Sequence, residues 1–168
     1  MKNKLITLII LIFLGFIIIG CSNKEISKEN VKKDTQNNKE IYIKYVQELN
    51  KINETTENLP FEINVDYIKE NDSEIRFEVS IDNPIGTINN IKALAIHNKQ
   101  TDDVFPSVGI FDSPITLIKG EKPEGIVLVG YIPYTKDIDD FKKEIILKVL
   151  IKYVYENNEY SAYYVTKK

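Results

Sequence analysis

From Phe61 onward the chain takes up a period of two. Phe61, Ile63, Val65 and Tyr67 alternate with Glu62, Asn64 and Asp66, and after Asn71-Asp72-Ser73 the alternation resumes with Ile75, Phe77, Val79 and Ile81 against Arg76, Glu78, Ser80 and Asp82. Successive strand residues point to opposite faces, so this pattern builds a sheet with one apolar and one wet face. In a helix the same residues would be scattered around the whole circumference. Two strands joined by a short turn are expected. Asn83-Pro84-Ile85-Gly86 is a further turn, and Ile88 to His97 and Val104 to Phe111 read as shorter strands separated by Asn98 to Asp103. Pro106 suggests an edge position for the second of these.

Ile115 to Ile118 is a brief apolar run, followed by a loop from Lys119. Gly125 to Ile132 is apolar on both faces, the pattern of a central strand. Thr135 to Lys143 is charged and reads as a loop with a helical turn. Ile145, Leu147, Val149, Ile151, Tyr153 and Tyr155 mark a long strand, Glu156 to Glu159 turns it, and Tyr160 to Val165 returns. Seven or eight short strands with turns between them predict an all-β fold, an antiparallel β-sandwich preceded by a short helix. The spacing is similar to that of the immunoglobulin-like modules of bacterial surface proteins, without their Cys-Trp-Cys signature. An open α+β sheet covered by one helix is the alternative.

The helix is expected over 41–59, where Tyr42, Tyr45, Leu49 and Ile52 fall on one face before Pro60 closes the segment. That face either packs on its own domain or docks the chain, as an accessory subunit, onto a membrane complex. From Ser22 to Glu40 the sequence is charged in both signs with few aliphatic residues, which predicts a disordered tether. Residues from about Leu59 onward are expected to fold as a soluble β-rich domain, since the period-two segments all lie there.

The start of the chain carries an address. A short basic stretch, Met1 to Lys4, precedes an apolar run from Leu5 to Ile19 and then Gly20-Cys21, the layout of a secretory signal peptide over 1–20. The run is shorter than the ~20 residues of a comfortable membrane span. Ile18-Ile19-Gly20-Cys21 resembles the lipobox of bacterial lipoproteins, departing from it at Ile18, where Leu is usual, and at Ile19, where a small residue is usual. The resemblance implies cleavage before Cys21 and a diacylglycerol on its thiol, and two acyl chains anchor stably where one does not. The expected organisation is therefore a signal peptide, a lipidated N-terminus and tether over 21–40, the helix over 41–59 and the sandwich over 60–168, held at the extracytoplasmic face of the cell membrane.

Composition narrows the function classes. Cys21 is the single cysteine, so the fold has no internal disulfide. Two of the 22 basic residues, Lys2 and Lys4, belong to the leader, which leaves 20 against 25 acidic residues in the mature chain, and Arg76 is its one arginine. That balance argues against nucleic acid as a partner.

Little in the sequence carries chemistry. The one histidine, His97, stands at a strand end beside Asn98, and no Gly-x-Ser-x-Gly elbow is present, so a serine hydrolase lacks its parts. One histidine and one acylated cysteine make no usual zinc site, and the glycines form no phosphate-cradling loop. Asp102-Asp103 and Asp137, Asp139 and Asp140 are loop carboxylates that can bind Ca²⁺ or serve a hydrolase, but they lack the EF-hand spacing. No catalytic residue, metal ligand or cofactor is assigned. Seven of the ten tyrosines fall between Tyr131 and Tyr164. On the last strand Tyr163 and Tyr164 must face opposite ways, so Tyr160, Tyr163 and Tyr164 are the candidate contact residues. The expected function is a non-catalytic binding module, tethered by its lipid, for a protein or cell-envelope ligand.

Overall fold

The computed structural model describes residues 24–99 and 104–166, with the helix residues before 34 described by backbone alone. The segment 1–20 read as a signal peptide, Cys21 and Asp102-Asp103 lie outside the described residues. The chain divides after Asn37, and the second part, Asn38–Lys168, holds both sheets.

Among the described residues the elements are α1 (Lys24–Lys51), β1 (Glu62–Asn71), β2 (Glu74–Asp82), β3 (Thr87–His97), β4 (Ser107–Val108), β5 (Ile115–Ile118), β6 (Gly125–Pro133), α2 (Ile138–Glu144), β7 (Leu147–Tyr155) and β8 (Asn158–Val165). Every strand pairing is antiparallel. One sheet has the order β1-β2-β6, and the other the order β4-β3-β7-β8 with β5 also on β3. The β7–β8 hairpin turns at Glu156-Asn157, both with positive φ, the geometry of a type I′ turn.

The two sheets bury their apolar faces in one core. Phe77, Val79 and Ile81 of β2, Ile126 and Leu128 of β6, Ile91 and Ala93 of β3, and Val149 and Ile151 of β7 are all inaccessible or nearly so. Alternation put them there, since their strand neighbours are less buried on both β2 and β6. Phe141 closes this core from α2, which Asp137 caps by accepting the Asp139 N–H at 2.8 Å.

A second, smaller core lies on the outer face of the larger sheet. Leu49 of α1 packs with Leu94, Ile96, Ile110 and Leu150, flanked by Tyr42, Tyr45, Val46, Phe105 and Tyr163. The apolar face expected of the helix is thus covered by its own domain. Around this contact Glu48 accepts from Lys152 Nζ at 2.7 Å and from the Tyr163 hydroxyl at 2.6 Å, and Tyr42 Oη accepts the Phe105 N–H at 2.9 Å. The Lys148 ammonium donates to the carbonyls of Asn50 and Ile52, where a helix C-terminus favours a cation.

The helix differs from expectation at both ends. It begins by Lys24, inside the segment read as a disordered tether, which is rich in the good helix formers Lys, Glu and Gln and free of Gly and Pro. It stops at Lys51 rather than Leu59 because the next residues are used differently. The Thr56 N–H donates to Tyr163 O at 2.8 Å, Tyr163 N–H donates to Thr56 Oγ1 at 3.0 Å, and Val165 N–H donates to Thr55 Oγ1 at 3.0 Å. This connector therefore covers the open edge of β8.

Burial works to raise the Glu48 carboxyl, but its hydrogen bonds from Lys152 and Tyr163 and the charges of Lys152 and Lys44 outweigh that and hold it below the usual glutamate value. A depressed folded value gives a contribution that is complete above the unfolded pKa of about 4.3 and lost as pH falls through the folded one. Glu48→Gln should flatten the loss of stability below about pH 4. Urea denaturation at several pH values checks this, and an acid limb that the substitution leaves unchanged would rule Glu48 out as its source.

Candidate functional site

The three sequence-predicted tyrosines do not share a surface. Tyr163 lies under α1 with its hydroxyl on Glu48, a bond that, together with burial, pushes its own pKa up. Tyr164 faces the other way and packs against the inter-sheet core. Tyr160 is exposed and stacks on its cross-strand partner Tyr153, with centroids 5.5 Å apart and planes at 21°. Cross-strand packing thus engages the tyrosines on both faces of the hairpin. Tyr160 borders a polar hollow of about 630 Å³ where Lys92 and Lys152 stand directly opposite each other on β3 and β7.

The other candidates are dispersed as well. His97 is a strand-end residue but not a surface one: it is 9% exposed and sits edge-to-face between Phe77 at 6.0 Å and Phe105 at 5.1 Å. Asp137 caps α2, and Asp140 pairs with Lys143 at 3.6 Å. Among the described residues no group of His, Cys, Asp and Glu is placed to hold a metal ion, and no helix is long and apolar enough to cross a membrane.

The feature that the sequence misplaced is β6. Among the described residues it pairs only with β2 and is the edge strand of its sheet, not a central one. Its inward side chains, Ile126, Leu128 and Ile132, are buried, while Val127, Val129 and Tyr131 are 54%, 38% and 49% exposed on the outside. The backbone also faces outward at these three residues. The Tyr134 N–H donates to Ser73 O at 2.8 Å, and the β2–β6 register runs without a shift from Gly125 to Pro133. Hydrogen-bonded rungs alternate along an antiparallel pair, so the even-numbered residues bond to β2 and the odd-numbered ones turn N–H and C=O to the open edge. Pro133, which has no N–H, falls on that open side, where proline is tolerated.

Beside this edge a cavity of about 550 Å³ opens between the sheets, lined by Phe77, His97, Val104, Phe105, Pro106 and Tyr131 among others. Gly130, which also lines it, makes room for the Phe77 ring. A Cβ there would lie 2.2 Å from the Phe77 ring, which instead covers the glycine across the strand pair. The remaining edges are blunted in ways that hinder strand pairing. Strand β8 is covered by Thr55 and Thr56, β4 and β5 are two and four residues long, and β1 carries Glu62, Asp66 and Glu70 and a register shift. By contrast, β6 is nine residues without a charge.

No protein-family model, no curated protein and no solved structure matches the chain.

Proposed function

We propose that the protein is a lipoprotein anchored by Cys21 at the extracytoplasmic face of the membrane, and that its domain is a non-catalytic, immunoglobulin-like module that binds a protein or cell-envelope ligand. The observation that carries the binding reading is β6, a long, uncharged edge strand with exposed Val127, Val129 and Tyr131 beside a cavity. Long open edges of this kind invite pairing with another chain, and proteins that do not use them cover or charge them.

The immunoglobulin-like reading is supported by strand order. With β1, β2, β3, β6, β7 and β8 taken as A, B, C, E, F and G, the sheets read A-B-E and, with β4 and β5 beside C, C′-C-F-G. In constant-type immunoglobulin domains a D strand pairs with E, and here that side of β6 is the open edge. Hydrophobic packing of Phe77 and Val149 holds the sheets together in place of an inter-sheet disulfide.

Anchoring rests on the lipobox resemblance at Ile18-Ile19-Gly20-Cys21. Cys21→Ala removes the only thiol, and with it the acceptor for diacylglycerol. Cells fed labelled palmitate should incorporate it into the wild-type protein and not into the variant, which stays an uncleaved precursor. Label persisting in Cys21→Ala would refute the anchor.

A further inference from the structure

We infer that the open edge of β6 takes up an extended segment of a partner protein in which apolar residues alternate with Lys or Arg. The inference rests on reading the domain as a binding module but not on the lipid, so the palmitate result and the experiment below fail independently.

The first observation is geometric. A strand added to β6 meets the N–H and C=O groups of Val127, Val129 and Tyr131, which face the open edge. Its side chains then alternate. Those pointing inward enter the cavity, where the Phe77, Phe105 and Pro106 wall favours apolar residues and Glu74 and His97 form its polar part. Those pointing outward lie beside Val127, Val129 and Tyr131.

The second observation is electrostatic and decides what the outward residues are. The outward positions of β1 and β2 carry Glu62, Asp66, Glu70, Glu74, Glu78 and Asp82 against Arg76 alone. Arg76 pairs with Glu70 and Glu78 and leaves the face strongly negative. Two rungs set acid directly against acid, Glu62 opposite Asp82 and Asp66 opposite Glu78, an arrangement that weakens a strand pair. On β2, Glu78 stands opposite Val129, with Asp82 opposite Gly125 and Glu74 opposite Pro133, two strand spacings or about 10 Å from an added strand, while Ser80 and Arg76 stand opposite Val127 and Tyr131. Lys and Arg, their aliphatic stems laid over the valines, cover part of that distance, and the acid side chains reaching back across β6 cover the rest. A second copy of this chain would instead bring another acidic face to the edge, and like charges disfavour it.

The test is a titration of the full chain, in detergent micelles, with a labelled peptide of about nine residues alternating Lys and Val, and with its Glu-Val counterpart. The Lys-Val peptide should bind and the Glu-Val peptide should not, and salt near 1 M, where screening reaches about 3 Å, should weaken binding. Val129→Pro removes an edge-facing N–H without touching the β2 ladder, and Val129→Lys charges the edge and stands in should the proline variant fail to fold. Each should weaken binding at least about tenfold. No binding of the Lys-Val peptide, equal binding of the two peptides, or equal binding by wild type and Val129→Lys would overturn the inference. So would sedimentation showing that the wild type self-associates through an edge that Val129→Lys disrupts.

Discussion

Phe77→Ala is expected to cost about 3 to 5 kcal/mol of stability, the range for removing a fully buried aromatic ring. Phe77 is inaccessible to solvent, and its ring does three things that alanine cannot. It fills the inter-sheet core with Val79 and Ile81, it meets His97 edge-to-face at 6.0 Å, and it covers Gly130 across the β2–β6 pair. The last contact couples the core to the edge strand, because a glycine in an edge strand has no side chain of its own to pack and relies on a cross-strand aromatic ring. Urea denaturation measures the effect as a lower midpoint with an unchanged slope. A loss below about 1 kcal/mol would mean that the ring is not a packed element of the core.

Shortening the chain to begin at Leu59 should expose a sticky sheet face rather than release a soluble domain. The period-two segments do all lie beyond Leu59, but the outer face of β3 and β7 is not a wet face: Leu94, Ile96 and Leu150 are buried beneath α1. Losing α1 exposes these residues, and losing Thr55 and Thr56 uncovers the edge of β8. A chain from Leu59 should therefore bind a hydrophobic dye and aggregate, whereas Leu49→Ala in the full chain should be folded and weaker by about 2 to 5 kcal/mol. A Leu59 fragment that is monomeric and as heat-stable as the full chain would show the helix to be dispensable.

The strands were legible because alternation reports burial directly, and Phe61 to Ile81 reads off its own two faces. What the sequence could not show was which strand neighbours which. Gly125 to Ile132 carries no charge and reads as buried on both sides, yet long-range pairing leaves β6 at an edge with Val127 and Val129 in solvent. Conversely, Lys148 and Lys152 mark the outer face of β7 as polar, although α1 lies over it, because their ammonium groups meet the helix C-terminus and Glu48. The opposite facing of Tyr163 and Tyr164 followed from the strand period, but the partner of Tyr163, Glu48, comes from a helix more than a hundred residues earlier. Helix α1 was traced from its apolar face alone, so its polar extension back to Lys24 left no periodic signal.

A binding module held to the membrane by Cys21 is tested most directly by the intact mass of the native protein purified from membranes. The predicted mass is that of a chain beginning at Cys21 and carrying a diacylglycerol. A chain beginning at Met1, or at an unmodified residue after Cys21, would contradict it.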